Sequence, residues 1–366
     1  MKKLTFEPSI YRDWTAMYSW FAYEMFIKGF QTQFGWHYTD VMFVWDGEKV
    51  TIYRAIEEHI HEFFALVDGR LKDNPHFVAE VAEKVVHEVN ALKPFLDSIL
   101  EGKLGELSSD ELLRKFETSR ESVLTVTPWF LILMYFPQQL ERLGLDQYKQ
   151  DFDIAVEARG KVDKTLGPLS NKATNLLAAE ALRRNELPAA GARYLAPHEF
   201  KKLVTERTSE RYNKTLRQSL IEREPYWMIA GGDISTESVE EYIQRHGWKL
   251  NVPEVKDETT EIKGNSVHIA ETLVGVVRIV PNQREIHKVQ EGDVVVAPMT
   301  TPEYGPIFGK IKAIITDEGG ITCHAAVISR EMKIPAIVGT KIASRVLKDG
   351  DRIEVDTERG VIRVVG

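Results

Sequence analysis

The apolar positions of this chain change their period near residue 250. Before it they recur every three to four residues, the spacing of buried helical faces. After Gly264 they gather into short runs of branched side chains, the mark of strands. In the first part, Phe77, Val81, Val85, Val89, Leu92 and Leu96 form one helical stripe, opened by Asp73-Asn74-Pro75 and kinked at Pro94. Ser108 with Glu111 is a capping-box pattern that starts a helix running toward Pro128, and residues 129 to 143 predict a second. Residues 146–166 and 171–185 are further helical patterns. One helix is predicted from Pro197 to about Ile221, and a short one over 236–246 is closed by Gly247. Phe26, Phe30 and Phe34 recur at i+4 within the aromatic stretch 10–38, which predicts a core helix; lining a pocket for an aromatic ligand is its functional alternative. Asp46-Gly47 between two β-rich runs predicts a hairpin. Strand-like runs follow at 275–280, 293–298, 312–316, 336–339, 352–356 and 360–365. The expectation is a multi-domain chain: a mainly helical region over 1–249 with one hairpin, a polar linker over 250–263, and a strand-rich domain over 264–366.

Composition narrows the class of protein. Hydrophobic residues make up 43% and charged residues 28%, as in soluble globular chains. A net charge of −8 without a dense Lys/Arg run argues against a nucleic-acid partner. The one cysteine, Cys323, permits no internal disulfide and points to a reducing cytoplasm. The start Met1-Lys-Lys-Leu-Thr-Phe-Glu7 lacks the apolar core of a signal peptide. The most apolar stretch, Val123 to Phe136, is too short for a membrane span and reads as a buried helix.

Candidate chemistry is densest between Thr316 and Glu331. A strand over 312–316 leads into Gly319-Gly320, which permit a tight turn, and then into a helix with Thr322 as its N-cap. His324 falls in the first helical turn. Free N–H groups and a partial positive charge gather there, so the position favours an anion and a neutral imidazole. A neutral imidazole is a nucleophile. A phosphate placed on it would rest on the amides, with the Thr322 hydroxyl beside it and Arg330 returning over it as a charged clamp. On the residues alone two readings stay open, a phosphoryl-accepting histidine and a satisfied surface histidine. Cys323 reads as a small packing residue.

Other candidates carry less. His59 and His61, with Glu57, Glu58 and Glu62, do not share a helix face, so they read as an exposed acidic face and no metal site is assigned. Lys172, Arg183, Arg184, Arg207, Arg211 and Arg217 read as solvated basic faces, with phosphate binding as the alternative.

The run Gly319-Gly320-x-Thr322-x-His324-Ala325-Ala326-Val327-Ile328-Ser329-Arg330 resembles the phosphorylation motif of the phosphoenolpyruvate-utilising enzymes. The resemblance continues through Arg330-Glu331-Met-Lys-Ile-Pro335-Ala-Ile-Val-Gly339-Thr340. Upstream, Gly292-Asp-Val-Val-Val-Ala297 and Thr301-Pro302-Glu303 resemble the family as well. The resemblance covers somewhat under a third of the chain. It implies that residues from 261 onward form the family's β/β/α swivelling domain, with His324 as phosphoryl acceptor, Thr322 and Arg330 as its companions, and Gly319 and Gly320 in the phosphate cradle. Glu303 and Glu318 are candidates for orienting the imidazole or a metal.

The rest of the layout resembles, faintly, the acceptor-binding and histidine domains of rifampicin phosphotransferases and phosphoenolpyruvate synthase-related proteins. Here Ala196 stands where the related helix start carries Thr or Ser. These residues contain no glycine-rich loop followed by Lys to cradle a nucleotide, and no alternating pattern of a barrel. The resemblance therefore implies a separate ATP-grasp or phosphoenolpyruvate-binding partner subunit. It also implies Mg²⁺ arriving with the phosphoryl donor, no tightly bound cofactor, and a small-molecule acceptor on the helical region. His37 and His198 are candidates for the acceptor's general base. The alternative is a non-catalytic phosphohistidine regulator or scaffold.

Overall fold

The computed structural model describes residues 4–143, 149–162, 165–252, 261–319 and 323–365. Its backbone contacts divide it into two units, Met1–Asn251 and Val252–Gly366. No described helix is long and apolar enough to cross a membrane.

The N-terminal unit opens with β1 (Thr5–Arg12) and α1 (Ala16–Glu24), which passes through a π-helical turn at Met25–Gly29 into α2 (Phe30–Phe34). The expected hairpin is present as β2 (Val41–Trp45) and β3 (Val50–Arg54), antiparallel with Trp45 opposite Val50. Asp46 Oδ1 closes it by accepting the N–H groups of Glu48 and Lys49 at 3.0 and 2.9 Å. Seven helices follow: α3 (Ile56–Asp73), α4 (Phe77–Leu100), α5 (Ser109–Leu143), α6 (Lys149–Val162), α7 (Leu166–Arg184), α8 (Pro197–Thr205) and α9 (Glu210–Arg223). The unit ends with β4 (Trp227–Ala230), β5 (Asp233–Ser235), α10 (Val239–Arg245) and β6 (Lys249–Leu250).

The hairpin is part of a six-stranded sheet in the order β5-β4-β2-β3-β1-β6. All five residues of β2 are buried, because the sheet is covered on both faces. Val41, Phe43 and Trp45 join the large helical core; Met42 and Val44 pack with Met228, Tyr242 and Ile243 beneath α10. A buried strand of this kind reads as a continuous apolar run.

Three helical expectations change. Residues 109–143 form one helix that continues through Pro128. The predicted helix from Pro197 to Ile221 is two, because Ser209 caps a new start by accepting the Tyr212 N–H at 3.2 Å. His59 is buried at 1% exposure, not on an exposed face, and its Nε2 accepts the Thr39 N–H at 3.1 Å. Ala196 lacks a capping side chain, but Glu199 Oε2 accepts its N–H at 2.9 Å.

The C-terminal unit contains β7 (Glu261–Lys263), β8 (Asn265–His268), β9 (Leu273–Ile279), β10 (Val294–Ala297), β11 (Ala313–Thr316), α11 (His324–Met332), β12 (Ala336–Val338), α12 (Ala343–Val346), β13 (Arg352–Asp356) and β14 (Val361–Val364). Leu250 and residues 261–263, expected within the linker, are strand residues: Leu250 pairs with Phe6, and Ile262 pairs with Ile362. One mixed sheet runs β7-β14-β13-β9-β10-β11-β12-β8. Its centre, β9 to β12, is parallel, and antiparallel strands flank it. Val294, Val296 and Ile315 face one core with Ala343 and Leu347, while Val295, Ala297 and Ile314 face the other with Tyr304, Phe308 and Ala325.

Candidate functional site

In a parallel sheet the loops beyond the carboxyl ends of the strands converge, and such crevices are where α/β sheets bind ligands. Here three of those ends come together. β10 leads into Met299 and Thr300, β11 into Asp317–Gly319, and β12 into Gly339 and Thr340.

The ends are tied by hydrogen bonds. Glu318 N–H donates to the Pro298 carbonyl at 2.8 Å, joining the first loop to the second. Thr340 N–H donates to the Thr316 carbonyl at 3.0 Å, joining the second to the third. The buried Asp317 carboxylate accepts Thr340 Oγ1 at 2.9 Å and the Ser344 N–H at 3.1 Å, and it accepts the Ser344 hydroxyl as well. It thereby holds the start of α12 against the end of β11.

His324 is the first residue of α11, and Cys323, with φ −65° and ψ 165°, holds the N-cap position expected of Thr322. Thr322 and Gly320 lie outside the described residues. The first intrahelical bond runs from the Val327 N–H to the Cys323 carbonyl at 2.9 Å, so the N–H groups of Ala325 and Ala326 lie ahead of it. The His324 ring is half-buried, with Phe308 5.9 Å away between centroids. Its Nδ1 lies 3.0 Å from Thr300 Oγ1. That contact fixes the ring plane. With Nδ1–H donating to the hydroxyl, the lone pair falls on Nε2.

Thr300 was not singled out in the sequence. The signal was adjacent, in Thr301-Pro302-Glu303, but its bond to His324 spans 24 positions and is made only by the fold. Gly319 has φ +118°, and a Cβ there would meet Cys323 Sγ at 2.5 Å, so a glycine is required on both counts. Glu318 is half-buried, and its carbonyl accepts Thr316 Oγ1 at 2.7 Å. Glu303 is exposed in the turn Pro302–Ile307, and its charge adds to the burial that raises the Tyr304 hydroxyl's pKa. Arg330 is exposed in the last turn of α11, about 9 Å along the axis from His324 at helical rise.

The N-terminal candidates are separately placed. Arg183 and Arg184 both bind Glu180, and Arg184 also reaches the Leu104 and Leu107 carbonyls at 2.8 and 2.7 Å, which makes both structural. His37 is exposed, with Nδ1 2.7 Å from its neighbour's carbonyl on Tyr38. His198 is exposed, edge-on to Trp20 at 6.1 Å. Among the described residues no three His, Cys, Asp or Glu side chains cluster to hold a metal.

A glycine turn, a histidine at a helix start and a hydroxyl on its Nδ1 thus lie together at the carboxyl edge of a parallel sheet. Residues 289–360 match the family described as PEP-utilising enzyme, mobile domain. Those residues make up the greater part of the C-terminal unit, which is therefore similar to the mobile domain of the phosphoenolpyruvate-utilising enzymes. The chain is 40% identical over 187 residues to a probable phosphoenolpyruvate synthase of Archaeoglobus fulgidus, covering 48% of this chain and 24% of that protein. It is 48% identical over 86 residues to the phosphoenolpyruvate synthase of Deinococcus radiodurans, covering 24% and 11%. The chain thus spans about a quarter or less of these relatives. The first match is longer than Val252–Gly366 can supply, so the likeness reaches into the N-terminal unit. Among solved structures, an Enzyme I protein aligns over 81% of this chain and 79% of its own, at 14% identity and a TM-score of 0.22, which carries no structural argument.

Proposed function

We propose that this protein is a phosphotransfer component in which His324 carries a phosphoryl group between two stations. A partner subunit holding a nucleotide or phosphoenolpyruvate charges it, and a small molecule on the N-terminal unit receives the group. The observation that carries this reading is the Thr300–His324 contact at the head of α11. In the tautomer whose Nδ1–H donates to Thr300, Nε2 is the nucleophile, and Thr300 supports the ring once it becomes cationic.

In the charging step the Nε2 lone pair attacks phosphorus in line. The donor's P–O bond breaks, and its electron pair leaves with the donor oxygen. The Ala325 and Ala326 amides face the developing charge, since positioning and electrostatics dominate phosphoryl transfer. In the delivery step an acceptor oxygen attacks phosphorus, the N–P bond breaks, and its electrons return to Nε2. The acceptor's proton passes to a base on its own station. Mg²⁺ belongs to this scheme as part of the incoming substrate, bound to the donor's phosphates.

Thr322, Gly320 and Arg330 would complete the phosphate cradle. Glu303 and Glu318 would orient the imidazole or a metal that arrives with the donor. The test is intact mass after incubation with Mg²⁺ and ATP or phosphoenolpyruvate, with and without a candidate partner subunit. A phosphate-sized, acid-labile gain absent from His324→Ala supports the reading. No gain under any of these conditions overturns it.

A further inference from the structure

A groove in the N-terminal unit opens between the end of α3, the start of α4 and the middle of α5, with a volume of about 340 Å³. Its floor is apolar: Phe77 and Val81 are buried there, and Trp129 forms one wall. Trp129 is held in place on two sides. Its Nε1 donates to Gln33 Oε1 at 3.0 Å, and Phe34 packs edge-on to it at 4.7 Å. A ring fixed in this way loses little freedom when a ligand stacks on it.

The rim supplies charge. Arg70 is exposed, and its guanidinium has no hydrogen-bond or ion-pair partner among the described residues. Lys84 Nζ lies over the Trp129 ring at 5.3 Å. Its link to Glu88 is long, 3.7 Å, between side chains 43% and 46% exposed, and such a pair is worth little. A second, smaller cavity of about 80 Å³ shares Lys84 and Trp129 as its wall. Lys84 and the Trp129 ring it covers therefore border both spaces. Two carboxylates also line the rim: Glu80, which accepts Asn74 Nδ2 at 2.9 Å, and Asp73.

We infer that this groove binds a single-ring aromatic anion, the ring on Trp129 and Phe77 and the anionic group between Arg70 and Lys84. The volume sits at the lower end for small-molecule sites, which matches one ring and one anionic group. Its identity as an aryl phosphate, the product of transfer to a phenolic acceptor, rests on the phosphotransfer reading; the groove itself does not.

The experiment is calorimetric titration of the full chain with phenyl phosphate, beside phenol and inorganic phosphate. Saturable one-to-one binding of phenyl phosphate is expected, at least tenfold tighter than either fragment. Arg70→Ala weakens it tenfold or more with an unchanged thermal midpoint; Trp129→Leu weakens it by a similar factor with a lower midpoint, since it also loses the Gln33 bond and the Phe34 contact, and Trp129→Phe restores part of the binding. Absence of saturable binding, or binding that survives both replacements, overturns the inference. His324 charging is read separately by mass, so a chain that charges but does not bind loses the groove and keeps the carrier, and the reverse outcome is equally distinct.

Discussion

Gly339 presses against the carbonyl oxygen of Gly319. A Cβ on Gly339 would lie 2.7 Å from that oxygen, and its φ of +73° already excludes most side chains. The two glycines set the closest approach between the loops that follow β11 and β12. Gly339→Ala therefore combines a left-handed backbone with a clash, at a cost of about 1–3 kcal/mol. A lower urea midpoint, with faster hydrogen exchange confined to the C-terminal unit, is the expected result. An unchanged midpoint would show that the loops can separate freely.

Thr300→Val removes the hydroxyl at His324 Nδ1 while nearly keeping its volume. One lost hydrogen bond is worth about 1 kcal/mol, so charging of His324 should slow by roughly five- to tenfold. Thr300→Ser keeps the hydroxyl and should restore most of the rate. Time-resolved intact mass reads both, and phosphorus NMR reports which ring nitrogen carries the group. A Val variant that charges at the parent rate would remove Thr300 from the site.

The contrast between His324 and Thr300 shows what was legible in the sequence. The glycine turn, the histidine and the helix after it are neighbours along the chain, and local rules for turns and helix starts suffice to place them. Thr300 reaches His324 only because β10 and β11 lie side by side. The six-stranded sheet was hidden for a related reason. Its late members are strands of two to four residues, and two of them, Trp227–Ala230 and Lys249–Leu250, pair with partners on the far side of the whole helical segment. Pro128 misled in the other direction: a helix already packed on both sides tolerates the missing N–H. His59 looked exposed among glutamates, but Tyr38, at 4.9 Å between ring centroids, covers it.

Asp317 is a positioning residue whose loss can be measured apart from the histidine. Its carboxylate is the common acceptor for Thr340 and Ser344. Asp317→Ala leaves the Ser344 N–H without that acceptor, at a cost of about 1.5–3 kcal/mol for bonds to a charged group. Asp317→Asn keeps one acceptor oxygen and should lose about half as much. Equal losses for the two variants in urea titrations would mean that packing, not hydrogen bonding, holds the loop.

Asp40 gives the N-terminal unit a pH signature. Burial raises its pKa above the ordinary 3.8, against the lowering effects of the Tyr242 hydroxyl and the Val41 and Gly231 amides. The folded carboxyl therefore holds its proton at pH values where the unfolded one has released it. Stability is greatest below about 3.8 for this group and falls as pH rises through the folded value. Glu24 and Glu180, held down by arginines, contribute the opposite slope, so the comparison must be a difference. Asp40→Asn should show a smaller decline in thermal midpoint between pH 4 and 7 than the parent. Parallel curves would refute the assignment.

The π-helical turn at Met25–Gly29 and the proline inside α5 meet at one point, and the last prediction follows from that meeting. Pro128 has no N–H to give to the Leu124 carbonyl one turn earlier. Gly29 lies against that same carbonyl: a Cβ there would sit 2.6 Å from Leu124 O and 3.3 Å from Pro128 Cγ. Gly29→Ala should then destabilise the N-terminal unit by about 1–3 kcal/mol, as overpacking of a filled site does. Pro128→Ala lets the Leu124 carbonyl bond back into its own helix and removes the ring that Gly29 faces. The double variant should recover part of the Gly29→Ala loss, so the two effects will not add. A double-mutant cycle by urea denaturation measures the coupling, and strict additivity would separate the two residues.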